Sequence, residues 1–338
     1  MVTLEQIAKL AGVSRGTVDR ALNNRGDVRP EVARTIHEIA DRLGYTPNRA
    51  GKALATRKNP LTIGVILNSA GNPFFAPMLD GIRDAEREYA DFGLQVVVRE
   101  IGGYNARLQA AEIDDLTGRG IGALVIMPIN APLVREKLRL DIPVITLNSD
   151  LEDCGRLAYV GCHYVHSGET AAQLLGLFTG GHACVGVITG SIRLLGHTQR
   201  VSGFVSVCRR DYPDICIADV LENNDDDETS HRAVSCLLTS HPQVNALYFG
   251  AAGVEGGLRA VDEACKAGRR RPLVLCCDET EAIRAAIADG RVQATVCQQP
   301  FEQGYRAVCT AFDAAVNHKA PVCDRLYTEN VIKIKYNL

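Results

Sequence analysis

The chain has 338 residues, 46% of them hydrophobic and 23% charged, with no low-complexity tract, so a sizeable core and two or three domains are within reach. No apolar run approaches the length of a membrane span, and MVTLEQIAKL lacks the basic-then-apolar pattern of a secretory leader, so a protein without a membrane partner, working in the cytoplasm, is expected. The net charge of -3 conceals a split: residues 1–60 carry 11 basic and 6 acidic side chains and the remainder 26 and 34, which assigns an anionic partner to the first part alone.

Thr3-Leu4-Glu5-Gln6 has the spacing of a capping box. Ile7, Ala8 and Ala11 then share one helical face, and Gly12 is placed to end the helix in a left-handed conformation. Ser14 can cap a second short helix that turns Val18, Ala21 and Leu22 inward. A third begins at Pro30, suited to the first helical position, buries Val32, Ile36, Ile39 and Leu43, and closes at Gly44. Two short helices across a tight turn, covered by a third, are the helix-turn-helix plan. The outer face of the second helix keeps Arg15, Gly16, Asp19, Arg20 and Asn23. Taken alone, that basic face also fits an ordinary solvated three-helix bundle; the turn spacing and charge balance favour DNA.

YTPNRAGKALATRKNP follows. Residues 48–56 can form a helix too short and too polar to stand alone, with Leu54 its lone large apolar side chain. Asn48, Arg49, Lys52 and Arg57 suit phosphate, and a linker that folds only against DNA fits the composition.

VTLEQIAKLAGVSRGTVDRALN, LGYTPN and NRAGKALA resemble the headpiece of the LacI/GalR family of transcriptional regulators. The resemblance implies a second helix in the major groove and a hinge helix in the minor groove, where Leu54 is the wedge that kinks the operator. It points to Thr3, Ser14, Arg15, Gly16, Thr17, Arg20, Asn23, Arg29, Asn48, Arg49, Gly51 and Leu54 as DNA contacts. Gly16 has no side chain to read with, so discrimination falls on the arginines, most naturally against guanine. Asp19 departs from the family, which has a serine on phosphate there. A carboxylate repels phosphate unless it pairs with Arg15 or Arg20 or accepts from a cytosine amino group.

From Leu61 short apolar strands alternate with amphipathic helices: LTIGVIL, then a helix from PFFAPM to ADFG, LQVVVRE, a helix over 106–120, GALVIMP, a short helix and PVITLN. The pattern restarts with a helix at SGETAAQLLGLF and continues through CVGVITG, ICIADVL, ALYFG, LVLCCD and QATVCQ, with helices between them. This implies two doubly wound parallel-sheet subdomains whose strand ends are open to a ligand. The twelve cysteines are scattered, with no CxxC and no zinc-ligand cluster, and most sit in apolar stretches. Reduced structural thiols are expected, with no metal and no cofactor.

NPFF, PVITLN, QRVSGF and ATVCQQP also resemble type I periplasmic sugar-binding proteins and the effector domains of the same regulators. That resemblance implies a helix-turn-helix headpiece over 1–47, a hinge and linker over 48–60, and an effector and dimerisation domain over 61–338. Within the last, it implies an N-subdomain (61–161 and 292–321) and a C-subdomain (162–291 and 322–338), with crossings near 161, 291 and 322. Position by position it points to Asn72, Phe74, Phe75, Asn148, Arg200, Asp278 and Gln298 for a sugar or sugar derivative in the cleft. Periodicity alone leaves Phe74 and Phe75 equally suited to the core. Asn148-Ser149 stands where many sugar binders have Asp-Arg, and FGAAGVEG lacks the usual Asn-Asp.

The combined reading is a regulator, acting as a repressor, that binds a palindromic operator as a homodimer under control of a small sugar-like effector. KIKYNL adds no heptad segment, so no tail-built tetramer is expected. A solute-binding protein is disfavoured by the headpiece and the missing leader. A sugar-processing enzyme is disfavoured because GxxxxGK[ST], GxSxG, HExxH and a strand-following GxGxxG are all absent.

Overall fold

In the computed structural model, which describes residues 2–22, 28–45 and 60–338, the first helix begins at a reciprocal cap. The Thr3 hydroxyl accepts from the Gln6 amide at 3.3 Å, and the Gln6 side chain accepts from the Thr3 amide at 2.9 Å. Helix α1 therefore runs over Leu4–Ala11 and stops at Gly12, whose φ of +65° is left-handed. Ser14 opens α2 (Arg15–Leu22), its hydroxyl accepting from the Thr17 amide at 3.1 Å. Helix α3 (Pro30–Arg42) has proline at its first turn. Ile7, Ala8, Val18, Ala21, Ile36, Ile39 and Ala40 close a small core, while Leu22, Val32 and Leu43 pack at its edge, only partly buried.

The remainder builds two six-stranded sheets. The first contains β1 (Thr62–Leu67), β2 (Gln95–Glu100), β3 (Ala123–Ile126), β4 (Val144–Leu147) and β5 (Ala158–Cys162), with helices α4 (Ala76–Glu88), α5 (Ala106–Gly118) and α6 (Pro132–Lys137) between them. The chain then crosses over into α7 (Tyr164–Thr179), β6 (Ala183–Thr189), α8 (Leu195–Asp211), β7 (Ile215–Glu222), α9 (Asp227–Ser240), β8 (Ala246–Phe249), α10 (Val254–Lys266), β9 (Leu273–Cys277), α11 (Glu281–Ala288) and β10 (Ala294–Cys297). It returns as α12 (Pro300–Asn317) and β11 (Arg325–Thr328), and ends on β12 (Val331–Lys333).

The strand orders are β11-β5-β4-β3-β1-β2 and β12-β10-β9-β8-β6-β7. Every pairing is parallel except β10 with β12, an antiparallel edge. Helices cover both faces of each sheet, so the inner strands are buried on both faces and read as unbroken apolar runs, while the outer strands β2, β7, β11 and β12 stay partly exposed.

Two of the three expected crossings move. The first falls at Cys162–Tyr164, close to the expected 161. The second lies near 298 rather than 291, because Ala294–Cys297 pairs with β9 and completes the second sheet before the chain leaves it. The third lies near 329 rather than 322, because Arg325–Thr328 pairs with β5 in the first sheet. Residues 292–297 therefore belong with the second sheet and 322–328 with the first, each the reverse of the sequence expectation.

Candidate functional site

On the headpiece, Arg15, Gly16 and Arg20 are exposed on α2, and Thr17 is partly covered. Thr17 shares a 2.9 Å hydroxyl–hydroxyl contact with Ser14, so the capping pair also presents two oxygens at the start of this helix. Thr3 is exposed at the start of α1, and Arg29 at the start of α3 makes no side-chain cap bond, leaving its guanidinium to reach outward. Asp19 acts on Tyr45, at the end of α3: burial and the Asp19 charge raise the phenol's pKa, and Arg15 lowers it. Asn23, Asn48, Arg49, Gly51 and Leu54 lie outside the described residues.

At the carboxyl ends of the sheets, the loops after β1, β7, β8 and β9 face one another across a cleft. Its cavity is only about 80 Å³, bordered by Asn72 and Phe74 from the first lobe and by Asp225, Ala252 and Asp278 from the second. Ligand sites typically enclose roughly 300–1,000 Å³, so the cleft stands closed. A roomier groove, about 610 Å³, runs outside it between α8 and β7 past Val201, Val205 and Val220, and no carboxylate lines it.

Of the seven expected cleft residues, Asn72, Phe74 and Asp278 border the cavity. The Asn72 side-chain Oδ1 accepts from the Phe74 amide at 3.0 Å, capping the tight turn Pro73–Phe75 ahead of α4. Phe75 turns into the core under β1 and meets Phe74 edge to face at 4.9 Å. It does not border the cavity, which follows from adjacent residues of one turn pointing different ways.

Asn148, Arg200 and Gln298 do not border the cavity: Asn148 follows β4, Arg200 lies on α8, and Gln298 sits at the second crossing. The Asn148 amide donates to the side-chain oxygens of Gln298 and Gln303, at 3.2 and 3.0 Å. Tyr164 donates to the same Gln298 oxygen at 3.0 Å, and the Gln303 amide donates to the Gln298 carbonyl at 2.6 Å. Asn148, Asp278 and Gln299 all hold left-handed φ values, 63°, 71° and 57°, so each of these strand ends carries backbone strain.

Gln298 in turn donates to Asp278 at 2.7 Å. Burial pushes the Asp278 carboxyl above its ordinary range, opposed by Arg200 and by the hydrogen bond from Gln298. Arg200 is 1% exposed, sits 4.7 Å from the Tyr164 ring centre and donates to the Gly250 carbonyl at 2.7 Å. Its Nε and Nη2 have no hydrogen-bond partner among the described residues. Two buried charged donors without acceptors are costly unless something else fills the space.

Tyr104, Arg193 and Asp225 escape the sequence reading. The Tyr104 hydroxyl of the first lobe donates to Asp225 of the second, and Arg193 donates to the Tyr104 carbonyl at 3.0 Å. His197 lies 3.9 Å from Asp225 and accepts from the Ser191 amide at 2.9 Å; burial lowers its pKa. The only sequence signal for this cluster is the run NNDDDE at 223–228, which resembles a solvated loop.

A three-helix headpiece joined to two α/β lobes that close on a polar cleft defines a DNA-binding transcriptional regulator with a ligand-responsive body. The chain belongs to the periplasmic binding protein domain family, matched over residues 63–319, and its headpiece matches bacterial regulatory proteins of the lacI family over residues 3–48. It is 24% identical over 252 residues to catabolite control protein A of Priestia megaterium, covering 74% of each chain. To the ribose operon repressor of Haemophilus influenzae it is 24% identical over 330 residues, covering 94% of this chain and 93% of the relative. Among solved structures it resembles GanP, a glucose-galactose binding protein from Geobacillus stearothermophilus, with TM-score 0.75, 23% identity, and coverage of 83% of this chain and 99% of that one. No helix among the described residues is long and apolar enough to cross a membrane.

Proposed function

We propose that a small sugar-like effector binds between the lobes of this regulator and sets its affinity for a palindromic operator, which two copies of the chain grip together in the cytoplasm. The observation that carries the reading is Arg200, a buried guanidinium with two unused donors that bonds the Gly250 carbonyl and the Cys277 thiol and whose charge acts on Asp278 at a closed cleft. Hydroxyl oxygens would take up those donors, and Asp278 would accept from the same ring. Asn72 and Phe74 would supply an amide and an apolar face. The names of the ribose operon repressor and of GanP support a sugar. On DNA, Arg15 and Arg20 would read bases while Thr3, Ser14, Thr17 and Arg29 contact phosphate. The chain acts by binding, without turnover.

The test is operator binding by fluorescence anisotropy, titrated with sugars that first raise the melting temperature. A ligand at a hundredfold excess over its dissociation constant adds about 2.7 kcal/mol to a folded state it alone binds. Asp278→Ala is expected to abolish the response to that sugar and to leave ligand-free operator affinity unchanged. A variant that still responds at the same sugar concentration removes the cleft from the mechanism.

A further inference from the structure

We infer that the cleft selects a polyhydroxylated effector that carries no anionic group, and prefers one bearing a protonated amine. This rests on the effector reading above and narrows the class of ligand. Among the described residues four carboxylates border the cavity, those of Asp225, Asp227, Glu255 and Asp278, and no lysine, arginine or histidine does.

Three of these carboxylates are held in place by protein donors. Asp225 accepts from the Ala252 amide at 2.9 Å and from the Tyr104 hydroxyl. Asp227 accepts from the Gly256 amide at 2.8 Å, and Asp278 accepts from Gln298 at 2.7 Å and, more weakly, from the Cys277 thiol at 3.5 Å. None of these donors is a cation, so the bonds orient the carboxylates without cancelling their charge. His197 lies 3.9 Å from Asp225, and burial lowers its pKa while the Asp225 charge raises it.

Arg200 is the independent pointer to a ligand. It is nine-tenths buried and more, and its unpartnered Nε and Nη2 require acceptors that a hydroxylated ring supplies. Asp227 and Glu255 stand at the exposed rim of the cleft and Asp225 and Asp278 at its partly covered floor, so acidic groups outnumber the one guanidinium nearby. A carboxylate or phosphate on the ligand would meet like charge in the narrow space bordered by Asp225 and Asp278.

The chemistry of residues 252–253 agrees. Ala252 and Gly253 bring no side-chain polar group, and a Cβ at Gly253 would stand 2.5 Å from the Asn223 amide nitrogen. That amide holds the Ala252 carbonyl at 2.7 Å. The second lobe's polar lining is thus carried by Asp225 and Asp227 of the β7–α9 loop rather than by residues 252–253.

The experiment is isothermal titration of the full chain with glucose, galactose and myo-inositol, each as the neutral, aminated and phosphorylated form, with the two uronates added. The neutral and aminated forms of one scaffold are expected to bind at least roughly tenfold tighter than its anionic forms. Asp225→Asn is expected to fold normally and to narrow the ratio between amine and acid. An anionic form that binds as tightly as its parent, and loses binding in Asp278→Ala, overturns the inference and leaves the cleft as the effector site. An unchanged amine-to-acid ratio in a folded Asp225→Asn also overturns it. No heat with any compound overturns the effector reading itself, and the inference falls with it.

Discussion

Asp278 illustrates what a single position reveals in sequence. It follows a wholly apolar strand, so its side chain must sit at the strand's open end, and it lines the cavity there. Asn148 and Gln298 follow strands in the same way, yet they bond to each other and to Gln303 without bordering the cavity. The difference is a matter of which strand end faces the opposite lobe's loops, and residue type does not encode that. Asp225 is legible only in space, because its role comes from Tyr104, 121 residues away. On the headpiece, Arg20 stands exposed on α2 with the capping pair Ser14–Thr17 at that helix's start. Replacing Arg20 with alanine is predicted to cost about 1–3 kcal/mol on an operator selected from random DNA, and much less on a scrambled duplex at the same salt. Anisotropy titrations on both duplexes measure it; equal losses would make Arg20 a phosphate anchor.

Among elements, the alternation from β1 to β10 was readable because buried parallel strands are unbroken apolar runs between amphipathic helices. Strand β5, helix α12 and strands β11 and β12 were not. Strand β11 is four residues, only one of them buried, and β12 is a three-residue edge, so neither has a pattern to find. Helix α12 opens with Pro300 and carries Gly304 in its first turns, residues that usually mark a break. The glycine has a packing reason. A Cβ at Gly304 would lie 2.2 Å from the Met78 carbonyl, and one at Gly81 would lie 2.1 Å from the Phe301 carbonyl. Helices α4 and α12 thus touch backbone to backbone through facing glycines. Gly168 and Gly203 repeat the device between α7 and α8. Gly304→Ala must push two helices apart, and is predicted to destabilise the protein by about 1–3 kcal/mol. Urea unfolding measures this, and an unchanged midpoint would mean that the crossing yields without cost.

For the whole molecule, the closed cleft sets the question of what holds it shut. Tyr104 to Asp225, Arg193 to the Tyr104 carbonyl and the Asn130 amide to the Arg193 carbonyl at 2.8 Å are bonds that join the lobes at the cleft. Burial and the Asp225 charge keep the Tyr104 phenol protonated, so it remains a donor at any pH the fold tolerates. A hydrogen bond to a charged group contributes roughly 1.5–3 kcal/mol, enough to shift an open–closed ratio by tenfold or more. Tyr104→Phe is therefore predicted to open the ligand-free protein. Small-angle scattering is expected to give a larger radius of gyration that returns to the wild-type value when ligand is added. A variant with the wild-type radius would leave the closure to the crossing segments.

Those crossings also order events at the ribosome. Strands β1 to β5 leave it early, while the helix and the strand that complete their sheet are residues 300–317 and 325–328. Until then Ile63, Val65, Ile145 and Leu147 lack the cover of Val308 and Phe312, and β5 presents a bare edge. At about 5–20 residues per second this exposure lasts on the order of ten seconds. The first lobe is the first to be made and among the last to close, so the nascent chain must stay soluble with half of its structure waiting for its final residues.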